Sequence, residues 1–416
     1  MMKAGACGVV TALAGLLAVA SPAQAADLGG DCCADLEERV AELEATTARK
    51  GNRRMSLTVS GQVSRSILYW SGPELFGTDR RGVYAGLDNH NQSTRFVFSG
   101  SAKISPSVTA GFEFMTEWSG GARTSTVTQG SPDGGVSADG TLAVRTANWW
   151  LEDKHLGRLT VGRVNVGGPV ATIDLGGIST VAHFSPALVG GAFSVGNTSL
   201  STVIGPTYGG DRIEGIRYDS PTIGGFVLQG TWGEDDVWSG SVRYAGEFGG
   251  IRVAAGIGYE AQDPSATQLI QLDNGARSMD NEWSASLAVM HVASGLFVQG
   301  HYARSEFLNG TDAKFWMVQG GITKNWFGLG NTSFYGEYGE ATDFGKAGSN
   351  GAPFDPPDPL TTTQVDFFGL GAVQQIDAAA MEVFLGWRRF EVDTVFGPNV
   401  ASDRLDLIHG GARIRF

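Results

Sequence analysis

From Ser56 to Phe416, apolar and polar side chains change places at almost every step. In SLTVSGQVS (56–64), Leu57, Val59 and Val63 fall on one side and Ser56, Thr58, Ser60, Gln62 and Ser64 on the other. In VTAGFEFMTEW (108–118), Val108, Ala110, Phe112, Phe114 and Trp118 alternate with Thr109, Glu113 and Glu117. In 408–416, Ile408, Gly410, Ala412, Ile414 and Phe416 alternate with His409, Gly411, Arg413 and Arg415. Successive side chains of a strand leave a sheet on opposite faces, so a period of two means one greasy and one wet face. This pattern predicts sixteen strands: 56–70, 93–104, 107–118, 143–153, 158–164, 211–219, 225–233, 237–248, 251–260, 282–293, 296–307, 314–327, 331–341, 364–376, 379–391 and 405–416.

Loop lengths sort by parity. Several even-numbered strands are followed by turn residues such as Ser105-Pro106 and Gly249-Gly250, while the long polar connections 71–92, 119–142, 165–210, 261–281, 342–363 and 392–404 follow odd ones. Short turns at one end, long loops at the other and an even strand count describe a membrane-spanning antiparallel β-barrel. Tyr69-Trp70, Trp118, Trp232, Trp238, Trp283 and Trp326-Phe327 sit near strand ends, where amphipathic rings form interfacial girdles. A soluble two-sheet sandwich would bury the greasy faces against each other, but it does not account for the loop parity.

Past residue 25, no apolar run approaches the ~20 residues that a membrane helix needs. The chain carries 43 Asp plus Glu against 30 Lys plus Arg, a formal charge of −13, which opposes binding to nucleic acid. Residues 1–25 read as a signal peptide: Lys3, an apolar stretch from Val9 to Ala20, then Ala23-Gln24-Ala25 as a cleavage site. Residues 26–55 form a periplasmic segment and 56–416 the barrel. Within that segment, Leu36, Val40, Leu43 and Thr47 recur at spacings of four, three and four, the seam of a short coiled coil. A seam this short is marginal alone; it either joins chains held together elsewhere or is a single helix packed on a neighbour. Cys32 and Cys33 are adjacent and cannot bridge each other without strain. They are either inter-subunit disulfides or idle thiols. Metal and nucleotide motifs and Gly-x-Ser-x-Gly are absent from the sequence, so neither metal, cofactor nor enzymatic activity is expected.

Through DCCADLEERVAELEATTARKGNRRMSLTVSG (31–61), GRLTVGR (157–163), GIRYDSPTIGGF (215–226) and a last strand closing on Phe416, the chain resembles the outer-membrane porins of alphaproteobacteria, within the general trimeric porins of Gram-negative bacteria. The resemblance implies a homotrimer of 16-stranded barrels in outer-membrane lipid. Each barrel would be a water-filled channel for passive diffusion of small hydrophilic solutes and ions. It also implies that loop 3 folds inward as a constriction and that Phe416 is a barrel-assembly signal.

An Arg facing hydrocarbon costs ~2–4 kcal/mol at the midplane, so strand cations belong on the lumen or a rim. Parity places Arg95 and Lys103 opposite Phe96, Phe98 and Ile104, and Arg217 and Asp219 opposite Ile216 and Tyr218. The family analogy adds Arg145 and Arg163 to a basic constriction ladder. Arg163 is nevertheless in phase with Leu159 and Val161, and Arg65 with Val59 and Val63, which leaves a bulge or a subunit interface as alternatives. In loop 3 (166–210), Asp174 and His183 are the only ionisable side chains besides Tyr208. Asp174 is expected either to face Arg95, Arg145, Arg163 and Arg217 across the constriction or to cap a short loop helix. Loop carboxylates such as Glu234, Asp235 and Asp236 suggest weak cation preference at the mouth, or divalent ions bridging lipopolysaccharide. Two alternatives to a general pore are a substrate-specific channel and an envelope tether whose helix contacts peptidoglycan.

Overall fold

The alternating segments close into a barrel of sixteen antiparallel strands. The computed structural model describes residues 55–72, 81–119, 121–132, 141–166, 170, 173–195, 198–205, 212–261, 279–307, 310–347, 360–396 and 399–416. The strands are β1 (Thr58–Ser71), β2 in two segments (Arg81–Asp88 and Arg95–Lys103), β3 (Val108–Trp118), β4 (Leu142–Asp153), β5 (Gly157–Asn165), β6 (Arg212–Asp219), β7 (Phe226–Gly233) and β8 (Trp238–Phe248). They continue as β9 (Ile251–Ala261), β10 (Met279–His291), β11 (Leu296–Phe307), β12 (Asp312–Lys324), β13 (Thr332–Thr342), β14 (Leu360–Ile376), β15 (Met381–Phe396) and β16 (Asn399–Arg415). The barrel closes where β16 returns to β1, from Gln62 opposite Arg415 to Ser71 opposite Asp406. Beyond that pairing, Gly61 and Phe416 exchange backbone hydrogen bonds of 2.9 and 3.1 Å. The Phe416 ring turns outward against Phe96, 5.8 Å away.

Every predicted strand has a counterpart, with two differences of extent. The stretch 71–92, expected to be a loop, contains the first half of β2: β1 pairs with Arg81–Asp88 above and with Arg95–Lys103 below. A single 3-10 turn, His90–Gln92, interrupts the strand. Polar side chains satisfy the backbone there. Asn89 Oδ1 accepts from the Asn91 N–H at 3.2 Å and Asp88 Oδ1 from the Thr94 N–H at 3.1 Å. The second difference is 392–404, also expected to be a loop, where β15 and β16 stay paired as far as Phe396 opposite Asn399. The short turns are as tight as their residues suggest: Gly249 and Gly250, both at positive φ (58° and 77°), form the two-residue link between β8 and β9.

The outward face is apolar and exposed, with Val59, Val63 and Ile67 on β1 as examples. Trp238, Tyr259 and Trp283 form an outward row on β8 to β10, with ring centroids 5.3 and 4.5 Å apart. Phe226 with Tyr244, and Trp326 with Phe334, lie toward the opposite strand ends. Trp70 departs from the expected girdle: it points inward, is 2% exposed and packs on Phe193.

The inward face is not uniformly wet. Phe315, Phe367 and Phe390, on β12, β14 and β15, follow one another inside the barrel with ring centroids 6.0 and 5.9 Å apart, the first two meeting across Gly339 of β13, and all three are fully buried. The chain between β5 and β6 covers them: Phe193 and the short helix α1 (Leu200–Ile204) contribute Leu200, Val203 and Ile204 to the same core. Each such side chain taken from water is worth roughly 1.5–3 kcal/mol, which is why this loop lies on the wall. Residues 1–54, including Cys32, Cys33, Leu36, Val40, Leu43 and Thr47, lie outside the described residues.

Candidate functional site

Loop 3 is bonded to the inner wall along much of its described length. Ser286 Oγ on β10 donates to the Val170 carbonyl at 2.6 Å, and Gln299 Oε1 on β11 accepts the Leu175 N–H at 3.1 Å. Thr323 and Ser333, on β12 and β13, both donate to the Gly176 carbonyl, at 2.8 and 2.7 Å. Asn91, in the break of β2, donates to the Val181 carbonyl at 3.1 Å, and Thr180 bonds Glu382 on β15. On β15, Arg388 donates to the Pro186 carbonyl at 3.3 Å while clamping Glu337 of β13 in a two-point ion pair of 2.7 and 3.0 Å. That pair is buried, the carboxylate 1% and the guanidinium 8% exposed. Beside it a small cavity lies between Val181 and Val189 of the loop and Tyr335, Arg388 and His409 of the wall. His183 lies on the loop, its Nδ1 accepting the Ser185 N–H at 3.1 Å. Burial, reinforced by the charge of Arg388, pushes this imidazole down to about 4.

Of the residues singled out from the sequence, Arg95 and Arg145 come together. Glu117, opposite Arg95 in the β2–β3 ladder, bonds Arg145, accepts from Ser93 Oγ at 2.6 Å and lies 3.5 Å from Arg123. Arg145 reaches this inward position through a bulge, because Thr146 pairs with Met115 but Val144 with Thr116, leaving Arg145 the extra residue. Arg95 also donates to Gln92, which accepts from Arg413 of β16, and Arg413 pairs with Glu382. Arg217 and Asp219 form a two-point ion pair of 2.8 and 3.0 Å elsewhere on the inner wall, joined by Arg243 at 3.1 Å. Lys103 lies exposed near the β2–β3 turn.

Two residues are placed differently from the expected ladder. Arg163 shares the outward face with Leu159 and Val161, opposite Ala147 and Glu214, and its guanidinium lies 3.8 Å from the Glu214 carboxylate. β5 has no bulge to turn Arg163 inward, so the plain alternation holds. Asp174 does not bond Arg95, Arg145, Arg163 or Arg217 among the described residues. Its carboxylate accepts the N–H groups of Gly177, Ile178 and Ser179 at 2.8–2.9 Å and that of Gln299 Nε2 at 3.2 Å, which makes it the cap of a loop turn. Arg65, with Val63 and Ile67, faces outward beside the Trp118 ring, 5.6 Å from its centroid.

Sequence reasoning missed Glu117, Glu337, Glu382 and Arg388. A charge in inward phase on an otherwise alternating strand, as in FYGEYGE (334–340) and GWRRF (386–390), was the available signal.

The family model for Gram-negative porins matches residues 10–393. The chain belongs to the Gram-negative porin family. The porin is thus an outer-membrane channel for passive diffusion. Its fold is similar to that of the anion-selective porin from Comamonas acidovorans, with a TM-score of 0.55 and 14% identity over 87% of this chain and 100% of that one. Similar folds are found in the outer membrane channel DcaP of Acinetobacter baumannii (TM-score 0.52, 12% identity, 88% of this chain and 99% of that one) and Salmonella typhi OmpF in complex with daunomycin (0.50, 14%, 86% and 97%). No curated protein matches the sequence.

Proposed function

We propose that the porin is a general diffusion pore for small hydrophilic solutes and ions, without catalytic chemistry, working as a homotrimer of the alphaproteobacterial type. The observation that carries this reading is the arrangement of the lumen. Loop 3 is fastened to β10–β13 and β15, while inward charges on β2, β8 and β9, among them Lys103, Arg243 and Arg252, stay open to water. The bore is therefore narrowed from one side and lined by solvated polar groups on the other, which selects on size. Arg95 and Arg145, gathered around Glu117, belong to its basic wall. Asp174 acts on this passage by holding the loop turn in shape.

Residues 1–25 direct export and are removed. Residues 26–55 stay in the periplasm, where Leu36, Val40, Leu43 and Thr47 zip three chains and Cys32 and Cys33 form inter-subunit disulfides. The outward Arg65 supports subunit contact on this side, since a guanidinium facing hydrocarbon is costly. Lipopolysaccharide surrounds the remaining outer face. Reconstitution in planar bilayers tests the reading: conductance steps in threes and solute flux that declines smoothly with size are expected. Saturable flux of one solute class would replace it with a substrate-specific channel. Deleting residues 31–50 should lower the melting of the trimer. Intact trimers with loss of cell-wall co-sedimentation would instead favour a peptidoglycan tether.

A further inference from the structure

The inner wall sorts its charges by sign. Under loop 3 the carboxylates are withdrawn from water: Glu337 and Glu382 are 1% and 3% exposed and held by arginines. On the open side the cations project further than their partners. Asp219 is 14% exposed, but Arg217 and Arg243, which both engage it, are 24% and 44% exposed. Arg252 meets Glu247 at 2.9 Å with both groups about half exposed.

Besides Arg95, which is held by Gln92 and the Ser93 carbonyl, two inward cations make no ion pair among the described residues, namely Lys103 on β2 and Arg158 on β5. Arg158 stacks on the inward face of Trp150, its guanidinium carbon 4.1 Å from the ring centroid, and its buried Nε donor has no acceptor among the described residues. The Trp150 ring lies across Gly111, where any Cβ would come within 2.2 Å of it, so the absence of a side chain at 111 lets the platform lie flat on the wall. Glu152 on β4 and Asp219 on β6 are the cross-strand neighbours of Arg158 and share its inward phase, but both stay beyond ion-pair distance. The ladder runs Lys103, Thr109, Glu152, Arg158 across three strand spacings, roughly 14 Å.

We propose that the periplasmic half of this lumen is a path for anionic solutes, small molecules bearing a carboxylate or phosphate, on which Lys103 and the Trp150-stacked Arg158 are successive contact residues. The proposal rests on the channel reading and reverses the cation preference that the loop acids suggest. Bare guanidinium and ammonium groups in a bore with low-dielectric walls raise the local anion concentration, and rings of Arg and Lys are how pores select anions. Planarity and two-point donors suit Arg158 to carboxylate and phosphate.

The test is the reversal potential of the reconstituted porin under a potassium chloride gradient, repeated with potassium acetate and potassium phosphate. Anion permeability above that of potassium is expected. Arg158→Gln and Lys103→Gln should each lower the ratio about twofold, the effect of one solvated charge several ångströms from the ion path at moderate salt. Arg163→Gln, on the outer face, should leave it unchanged. Conducting wild-type channels that prefer potassium overturn the proposal, as do both Gln variants retaining the full anion ratio at normal conductance. Membranes without conductance steps would refute the channel itself, and this inference with it.

Discussion

Replacing Arg388 by Met isolates one of the contacts that hold loop 3 to the wall. The change removes two charge-assisted hydrogen bonds to Glu337, of 2.7 and 3.0 Å, and one to the Pro186 carbonyl. It leaves a carboxylate that is 1% exposed with Gln319 Nε2, at 3.1 Å, as its remaining side-chain donor. Breaking a buried pair from one side costs about 3–5 kcal/mol, and the surviving Gln319 bond argues for about 3. The barrel has a cheaper response than unfolding, because lifting residues 180–188 lets water from the lumen reach Glu337. The penalty should therefore appear as loop detachment, a shift of about two orders of magnitude in the docked-to-undocked ratio. Single-channel recordings should show frequent conductance substates, and limited proteolysis should cut within loop 3, while the barrel keeps its strand content. Pairing Arg388→Met with Glu337→Leu should recover most of the loss, since no uncompensated charge then remains. A single variant that records quietly and resists protease, or a double variant as disturbed as both single changes together, would refute this account of the clamp.

Gly386→Ala should also disturb loop 3, because the new methyl would fall 2.6 Å from Val181 Cγ2 and 2.8 Å from the Tyr335 hydroxyl. An overpacking cost of about 1–3 kcal/mol, read as a lower urea midpoint or faster loop proteolysis, is expected. Asp174→Asn should loosen the turn at 174–179 by about 1 kcal/mol, because the amide gives up one of the oxygens that accept backbone N–H groups; its signature is increased current noise. His183 gives the loop a pH dependence. With its folded value at about 4 against an ordinary 6.5, the docked loop binds fewer protons than the detached one between those limits. Docking therefore weakens as pH falls from 6.5 toward 4, by about 2–3 kcal/mol at most, and is indifferent to this group above 7. Substates should become more frequent over that window, and His183→Gln should flatten the dependence.

The strands were legible because each faces two different solvents, and alternation records that directly in Val59, Val63 and Ile67 against Gln62, Ser64 and Ser66. Where loop 3 replaces water, the rule fails: Phe315, Phe367 and Phe390 are inward and apolar, and only the fold reveals what covers them. The break in β2 was illegible because 89–94 is a polar run whose side chains serve its own backbone, as any loop might. Arg145 was placed inward by family analogy, but its bulge depends on an unpaired position in the ladder that no residue pattern marks. Arg163 shows the converse, plain parity being the better guide. Asp174 is conspicuous in the sequence as the one acid of loop 3. Its partners are backbone N–H groups and Gln299, 125 positions away, and neither can be read from composition.

Everything proposed for the lumen presupposes a continuous aqueous bore through the barrel. The most direct measurement is the swelling of proteoliposomes in isotonic sugars of increasing mass, run beside protein-free vesicles. The account predicts rates that fall smoothly with solute size. Vesicles that contain folded barrel yet swell no faster than protein-free ones in the smallest sugar would contradict it.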